Sequence, residues 1–183
     1  MSRFAASTIG FMVDLDRSAS TSRATLEQRL LGVALPDLKL ECAQDAFVSL
    51  AASARESALA IFFYRGVADG SSAMGDEDEA RAIEWAAHLP ELNRLGYGVV
   101  GISVQTVSTE AKLHGGEPFS FLLLSDPDLE LAELLGLPTV EEEWGRVYEP
   151  LTMLTRGERI SRIFYPVDPA RDAASAVEWI KRA

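Results

Sequence analysis

The sequence predicts an α/β fold in which a central sheet is flanked by helices. Three observations carry this. The chain has 183 residues and is 48% hydrophobic, enough for one domain with a sizeable core. Residues Leu59 to Val104 read as strand, loop, helix, strand: LAIFFY, then RGVADGSSAMGDEDEA, then RAIEWAAHLPELNRL, then GYGVVGISV. Short apolar runs alternate with helical patterns on both sides of this unit, without repeats or a second domain boundary. The loop of such a βαβ unit stands at the carboxyl end of its first strand, where open α/β sheets place their sites.

Residues 1–20 are rich in Ser and Ala without strong periodicity and read as an irregular arm. Ile9 to Val13 is apolar, but Asp14 and Asp16 follow and no small-residue cleavage site does, so a signal peptide is not expected. Ser22 or Thr25 can cap a short helix with Leu26, Leu30 and Leu31 on one face and Gly32 as its stop. Pro36 opens an extended segment, LPDLKLECAQDAFVSL, read as two short strands joined at Ala43–Asp45. A helix from about Ser49 to Glu56 leads to the first core strand, Ala58 to Tyr64, which is apolar on both faces as a covered central strand should be.

The segment Gly66–Gly75 is a Gly, Ser and Ala loop. Asp76, Glu77, Asp78 and Glu79 then put acids in a first helical turn, where the helix dipole favours them. Ile83, Ala87, Leu92 and Leu95 mark the expected buried face, Pro90 a kink or restart, and Gly96 the end. Val99 to Val104 is the second core strand, Thr109 to His114 a helical turn, and PFSFLLLSD the third strand. Pro127 to Leu135 is a short helix ended by Gly136, followed by an acidic loop, VEEEWG. VYEPLTMLT and ERISRIFYPV form two strands turning at Arg156–Gly157, and Pro169 starts a last helix with Ala173, Val177 and Ile180 on one side.

Composition narrows the function classes. The net charge of −11 argues against nucleic acid and anionic lipid, which need a basic footprint. No apolar run approaches the ~20 residues of a membrane span. The single cysteine, Cys42, excludes an internal disulfide or CxxC pair. His88 and His114 lack ligand-rich surroundings, and no GK[ST] follows the Gly/Ser loop, so neither a metal centre nor a phosphate loop is expected. No cofactor is expected.

Several phrases in order carry a resemblance: LPDLKLE, the FFY strand, LNRLGYGVVGISVQ, FSFLLLSDPDLELAELLGLP, RVYEPLTML and RISRIFYPVDP. Over about residues 30–183 the chain resembles the peroxiredoxins of the alkyl hydroperoxide reductase/thiol-specific antioxidant group. The resemblance implies a thioredoxin-like, peroxiredoxin-type mixed sheet flanked by helices, with an N-terminal arm and short helix over residues 1–33 and the domain proper over 34–183. The family places a reactive cysteine in the first turn of the helix after the FFY strand, where the helix end lowers its pKa. A Thr and an Arg position the peroxide there. Aligned on the helix, with Trp85 at a family aromatic, the cysteine position falls on Asp78, the Thr position on Gly75 and the Arg position on Pro150. Aligned on the preceding strand, the cysteine position falls on Ser72. The helix register is the firmer guide and favours Asp78.

The expected activity is therefore not the family's peroxidase reaction. It is redox-independent chemistry, isomerisation or cyclisation, on a small, largely apolar biosynthetic intermediate, without a cofactor, in the cytoplasm. Asp78 is the candidate general base, held ionised by the helix end, or else ordinary first-turn charge. Cys42 is a second candidate, a nucleophile if it faces the pocket and a small core residue otherwise. Tyr64, Ser72, Trp85 and Thr152 are candidate substrate contacts, with Trp85 also readable as core. The alternatives are a non-catalytic binding or regulatory relative, with a homodimer on the family's usual interfaces, and residual thiol chemistry through Cys42.

Overall fold

The computed structural model describes residues 22–42, 46–66, 74–106 and 119–183. Ser72 and the expected turns at Ala43–Asp45 and Thr109 to His114 lie outside the described residues. Five helices and nine strands follow in the order α1 (Arg23–Leu30), β1 (Lys39–Cys42), β2 (Ala46–Ser49), α2 (Leu50–Glu56), β3 (Ala58–Phe63), α3 (Asp76–Arg94), β4 (Tyr97–Ser103), β5 (Leu122–Ser125), α4 (Glu130–Leu135), β6 (Thr139–Glu142), β7 (Gly145–Tyr148), β8 (Leu151–Arg156), β9 (Arg159–Phe164) and α5 (Asp172–Ile180). Seven strands form one mixed sheet ordered β2-β1-β5-β4-β3-β8-β9, and β6 and β7 form a separate hairpin. β3, β4 and β5 run parallel, and β8 joins β3 antiparallel.

The period-2 alternation of β3 divides the core. Ile61 and Phe63 enter the cluster that holds α1, α2 and α4, while Ala60 and Phe62 enter the cluster under α3 and α5. The second cluster is tightly fitted. Phe62 stacks on Trp85 at 5.5 Å, and a Cβ at Gly101 would come within 2.7 Å of the Phe62 ring and of Leu123, so only glycine fits the neighbouring strand there. Burying each such ring contributes about 2–3 kcal/mol. α1 packs on the first cluster through Leu26 and Leu30, both buried there. Ser22 caps it through the Thr25 N–H, as its sequence predicts, but Leu31 lies just past the helix and is exposed.

Four expectations are corrected. The buried stripe of α3 is Asp78, Arg81, Ala82, Trp85 and Leu92, while Ile83 and Ala87 are exposed. These residues follow the i, i+3, i+4, i+7 spacing of one helix face, but two of them are charged and do not read as core. The helix also runs unbroken through Pro90, which is exposed. The acidic stretch after α4 is not a loop, because Thr139–Glu142 and Gly145–Tyr148 pair as a hairpin. Finally, VYEPLTMLT is two strands. Pro150, which has no N–H for a ladder, separates β7 from β8.

Candidate active site

The site forms where β3 ends and α3 begins. β3 is locked between two partners, and Tyr64 N–H still donates to the Ile102 carbonyl beyond its last strand residue. The chain then turns at Gly66, whose φ is +81°. That conformation favours glycine, and a Cβ at this position would also stand 2.9 Å from the Gln105 Cβ. The turn directs the Gly66 N–H to the Asp78 carboxyl at 3.0 Å, and the Arg65 N–H binds the same carboxyl. α3 has Gly75 as its N-cap, without a side-chain cap of its own.

Of the four consecutive acids, Asp76 and Glu77 are exposed, Glu79 is half-buried and Asp78 turns inward at 8% exposure. Burial raises the Asp78 pKa above the ordinary carboxylate value. The Gly66 N–H, the Arg81 charge and the Arg65 backbone and charge pull the other way without overcoming it. The local donors and the burial therefore act on this carboxyl in opposite directions, with burial the larger of the two.

Asp78 lines a cleft of about 300 Å³ together with Gly75 and Pro150. These are the three positions assigned above to the cysteine, Thr and Arg of the resemblance, and they come together in one place from two distant parts of the chain. Among the described residues, the rest of the wall is Arg65, Gly66, Asp76, Glu77, Glu142 and Trp144. Glu142 and Trp144 come from the end of the β6–β7 hairpin, so the segment read as an acidic loop closes one side of the cleft. Arg65 and Glu142 approach within 3.7 Å across it, both partly exposed.

The other sequence candidates that fall among the described residues, Tyr64, Trp85, Thr152 and Cys42, do not line this cleft. Tyr64 is buried beside it, close enough for the Asp78 charge to act on its hydroxyl, and that hydroxyl is bonded to the Ser103 side chain. Burial pushes its pKa well above the ordinary phenol value. Trp85 and Thr152 are fully buried beneath the floor and are not free to touch a substrate. The Thr152 hydroxyl donates to Asp172 at 2.8 Å and accepts from Arg81 at 2.9 Å, and the Trp85 indole N–H donates to Asp172 at 3.1 Å. Cys42 is buried on β1 in the other core cluster, away from the residues that line the cleft.

The residues that sequence reasoning missed are Arg81 and Asp172. Their side chains are 2% and 1% exposed, and the guanidinium meets Asp172 at 2.7 Å through Nε and 2.6 Å through its terminal nitrogen. Arg81 also donates to the carbonyl oxygens of Phe63 and, at 2.9 Å, Leu151, and lies 5.4 Å from the centre of the Phe62 ring. A usable signal existed: Arg81 stands on the face set by Trp85 and Leu92. Among the described residues, no group of three His, Cys, Asp or Glu side chains is arranged to hold a metal ion, and no helix is long and apolar enough to cross a membrane.

A sequence model described as the AhpC/TSA family matches residues 31–160. No curated protein sequence matches the chain. Among solved structures, the chain is similar to peroxidoxin BcpB from Mycobacterium tuberculosis at 18% identity and a TM-score of 0.70, with 84% of this chain and 97% of that chain covered. It is similar to a cysteine-to-serine mutant of PrxQ from Xylella fastidiosa at 19% identity and a TM-score of 0.69, covering 83% and 95%. Peroxiredoxin Q from Xanthomonas campestris, again a cysteine-to-serine mutant, gives 20% identity and a TM-score of 0.67, covering 83% and 94%. At these identities the likeness is one of fold.

Proposed function

The chain belongs to the AhpC/TSA family, and we propose that it uses that scaffold for proton-transfer chemistry on a small organic molecule instead of for peroxide reduction. The observation that carries this reading is Asp78: a buried carboxyl with a raised pKa, in the first turn of α3, lining an open cleft. A carboxyl whose pKa moves toward neutrality can take a proton and return it within one cycle. In an isomerisation or cyclisation the carboxylate accepts a proton from a carbon or hydroxyl of the substrate and gives it back at another atom. No electron is gained or lost, so neither a thiol nor a cofactor is needed.

The absence of a cysteine among the lining residues supports the loss of the family reaction. A carboxylate cannot pass through a sulfenate, and neither Gly75 nor Pro150 has a side chain that can bind a peroxide oxygen. The lining adjusts the expected substrate. Arg65, Asp76, Glu77 and Glu142 make the cleft more polar than an apolar intermediate requires, so the ligand carries polar groups on whatever apolar frame meets Trp144 and Pro150. The chain acts on this small molecule in the cytoplasm, as a homodimer.

The test has two arms. A panel of small enolisable and conjugated ketones is incubated with the protein in deuterium oxide, and label uptake is followed by mass spectrometry. Uptake with the wild type that disappears in Asp78→Asn supports the proposal. In the second arm, hydrogen peroxide and an alkyl hydroperoxide are supplied with an external dithiol. Consumption by the wild type that is lost in Cys42→Ser would overturn the proposal and assign thiol chemistry to Cys42. Absence of label uptake across the panel, with a specific protein partner captured instead, would assign the non-catalytic reading.

A further inference from the structure

We infer that Arg81 is the positioning residue of this site: its guanidinium fixes the end of β3 so that the peptide N–H groups of Arg65 and Gly66 face the Asp78 carboxyl. The inference rests on reading Asp78 as the proton-transfer group. It adds which buried residue holds and tunes that group.

Arg81 follows Asp78 by one turn on the buried face of α3. Its donors reach three other elements. One binds the Phe63 carbonyl at the last residue of β3, one binds Leu151 and Thr152 at the start of β8, and the rest meet Asp172 at the start of α5. Phe63 is two residues from Arg65 and three from Gly66. The short path from Phe63 to Gly66 is therefore held at one end by Arg81 and at the other by Asp78, both from adjacent turns of one helix. A shift of the β3 end would carry both N–H donors away from the carboxyl.

Stability alone is a poor account of such a pair. Desolvating two ions costs most of what their attraction returns, and apolar side chains of similar volume often serve as well. The fork geometry is what an apolar replacement cannot supply, since a planar guanidinium can hold several carbonyl and hydroxyl acceptors in fixed directions. Its charge also reaches Asp78 directly. Among the described residues, the charges that act on that carboxyl are Arg65 and Arg81, which favour the carboxylate; Asp76, Glu77 and Glu142 share the cleft lining with it. Tyr64 is the neutral hydroxyl beside it.

The experiment is a carboxyl titration of Asp78 by carbon-13 NMR in protein labelled at aspartate, with substrate absent. Arg81→Met removes the clamp and the charge and leaves Asp172 uncompensated, so the Asp78 midpoint should rise by about one pH unit or more. Asp172→Asn leaves the clamp on Phe63 and frees the Arg81 charge, so the midpoint should fall. Both variants lower the melting temperature. A purely structural role would move melting in both and leave the titration where it was, or shift it the same way in both, and either result overturns the inference. Should Arg81→Met fail to fold, Arg81→Lys keeps the charge and loses the fork, and its midpoint should still rise. A midpoint in Arg81→Lys equal to wild type would overturn the inference. Because no turnover is read, the outcome is separate from that of the label-uptake test.

Discussion

Asp78→Asn sets burial against the local donors, and its consequence is a pH dependence with a defined sign. The substitution keeps the side-chain shape and an acceptor for the Gly66 N–H, but it removes the titration. In the unfolded chain the Asp78 carboxyl titrates near pH ~3.9, and in the folded protein burial raises it. Below the unfolded value both states hold the proton, and the protonated carboxyl contributes its full stability to the fold. As pH climbs, the unfolded chain releases the proton first, so stability is lost until pH passes the folded value. Within that window the loss approaches about 1.4 kcal/mol per pH unit, the limit for one proton. The group is 8% exposed, so solvent screens little of this. Asn does not titrate. The stability of Asp78→Asn minus that of wild type should therefore climb through the window and flatten above it. The constant difference between amide and acid drops out of that slope. Urea unfolding at closely spaced pH values, followed by tryptophan fluorescence, measures the difference. A difference that falls with pH would refute the reasoning, because it would mean that the Arg65 and Gly66 N–H groups, Arg81 and the helix end together outweigh burial.

Other substitutions follow from the same geometry. Thr152→Val removes the hydroxyl that links Arg81 and Asp172 without changing the side-chain volume much, and should cost about 1–3 kcal/mol in urea unfolding with an unchanged slope. Gly66→Ala places a Cβ against Gln105 at a positive φ and should cost about 1–2 kcal/mol, read the same way. Arg65→Ala breaks a partly exposed ion pair with Glu142 and removes one positive charge near Asp78, and should stay within about 1 kcal/mol of wild type in melting experiments. Cys42 should react slowly with an aromatic disulfide reagent in the native protein and rapidly in denaturant, since its side chain is buried in the core.

The parts of this fold that were legible in the sequence are those fixed by local chemistry. LAIFFY announces a covered strand, four acids announce the start of α3, and Gly96 marks its end; β3 and α3 follow accordingly. Asp78 was legible as a candidate for the same reason, since its place in the first turn is a local property. The face of α3 was not legible, because hydropathy treats Asp78 and Arg81 as solvent residues. What turns them inward is a set of partners far along the chain: Asp172 lies 91 positions from Arg81, and the carbonyl of Leu151 lies 70. Thr152 and Trp85 are conspicuous in the sequence as residues near a site, yet the same distant acid takes up the Thr hydroxyl and the indole N–H and holds both below the floor. The hairpin end bearing Glu142 and Trp144 was hidden by its acidity. Strand pairing between Val140 and Val147 offset the low strand propensity of its glutamates.

The way Asp78 is held bears on the proton-transfer reading proposed above. An acid at the third residue of a helix ordinarily folds back on the cap and satisfies its free N–H groups. Here the cap is Gly75, and Asp78 instead reaches the end of β3, joining residue 66 to the helix that begins ten residues later. The carboxyl therefore works as a structural tie and, among the described residues, as the one buried acid of the cleft lining. These two roles pull its pKa in opposite directions, since the peptide N–H donors favour the anion and the loss of water favours the acid. A group balanced in this way changes protonation at modest cost whenever a ligand adds or removes solvent. A thiolate at the same helix end has no such balance to exploit, because there the helix dipole favours the charged form. On the proton-transfer reading proposed above, a carboxyl held in this way would answer to what fills the cleft, and the label-uptake comparison of wild type with Asp78→Asn is the measurement that decides it.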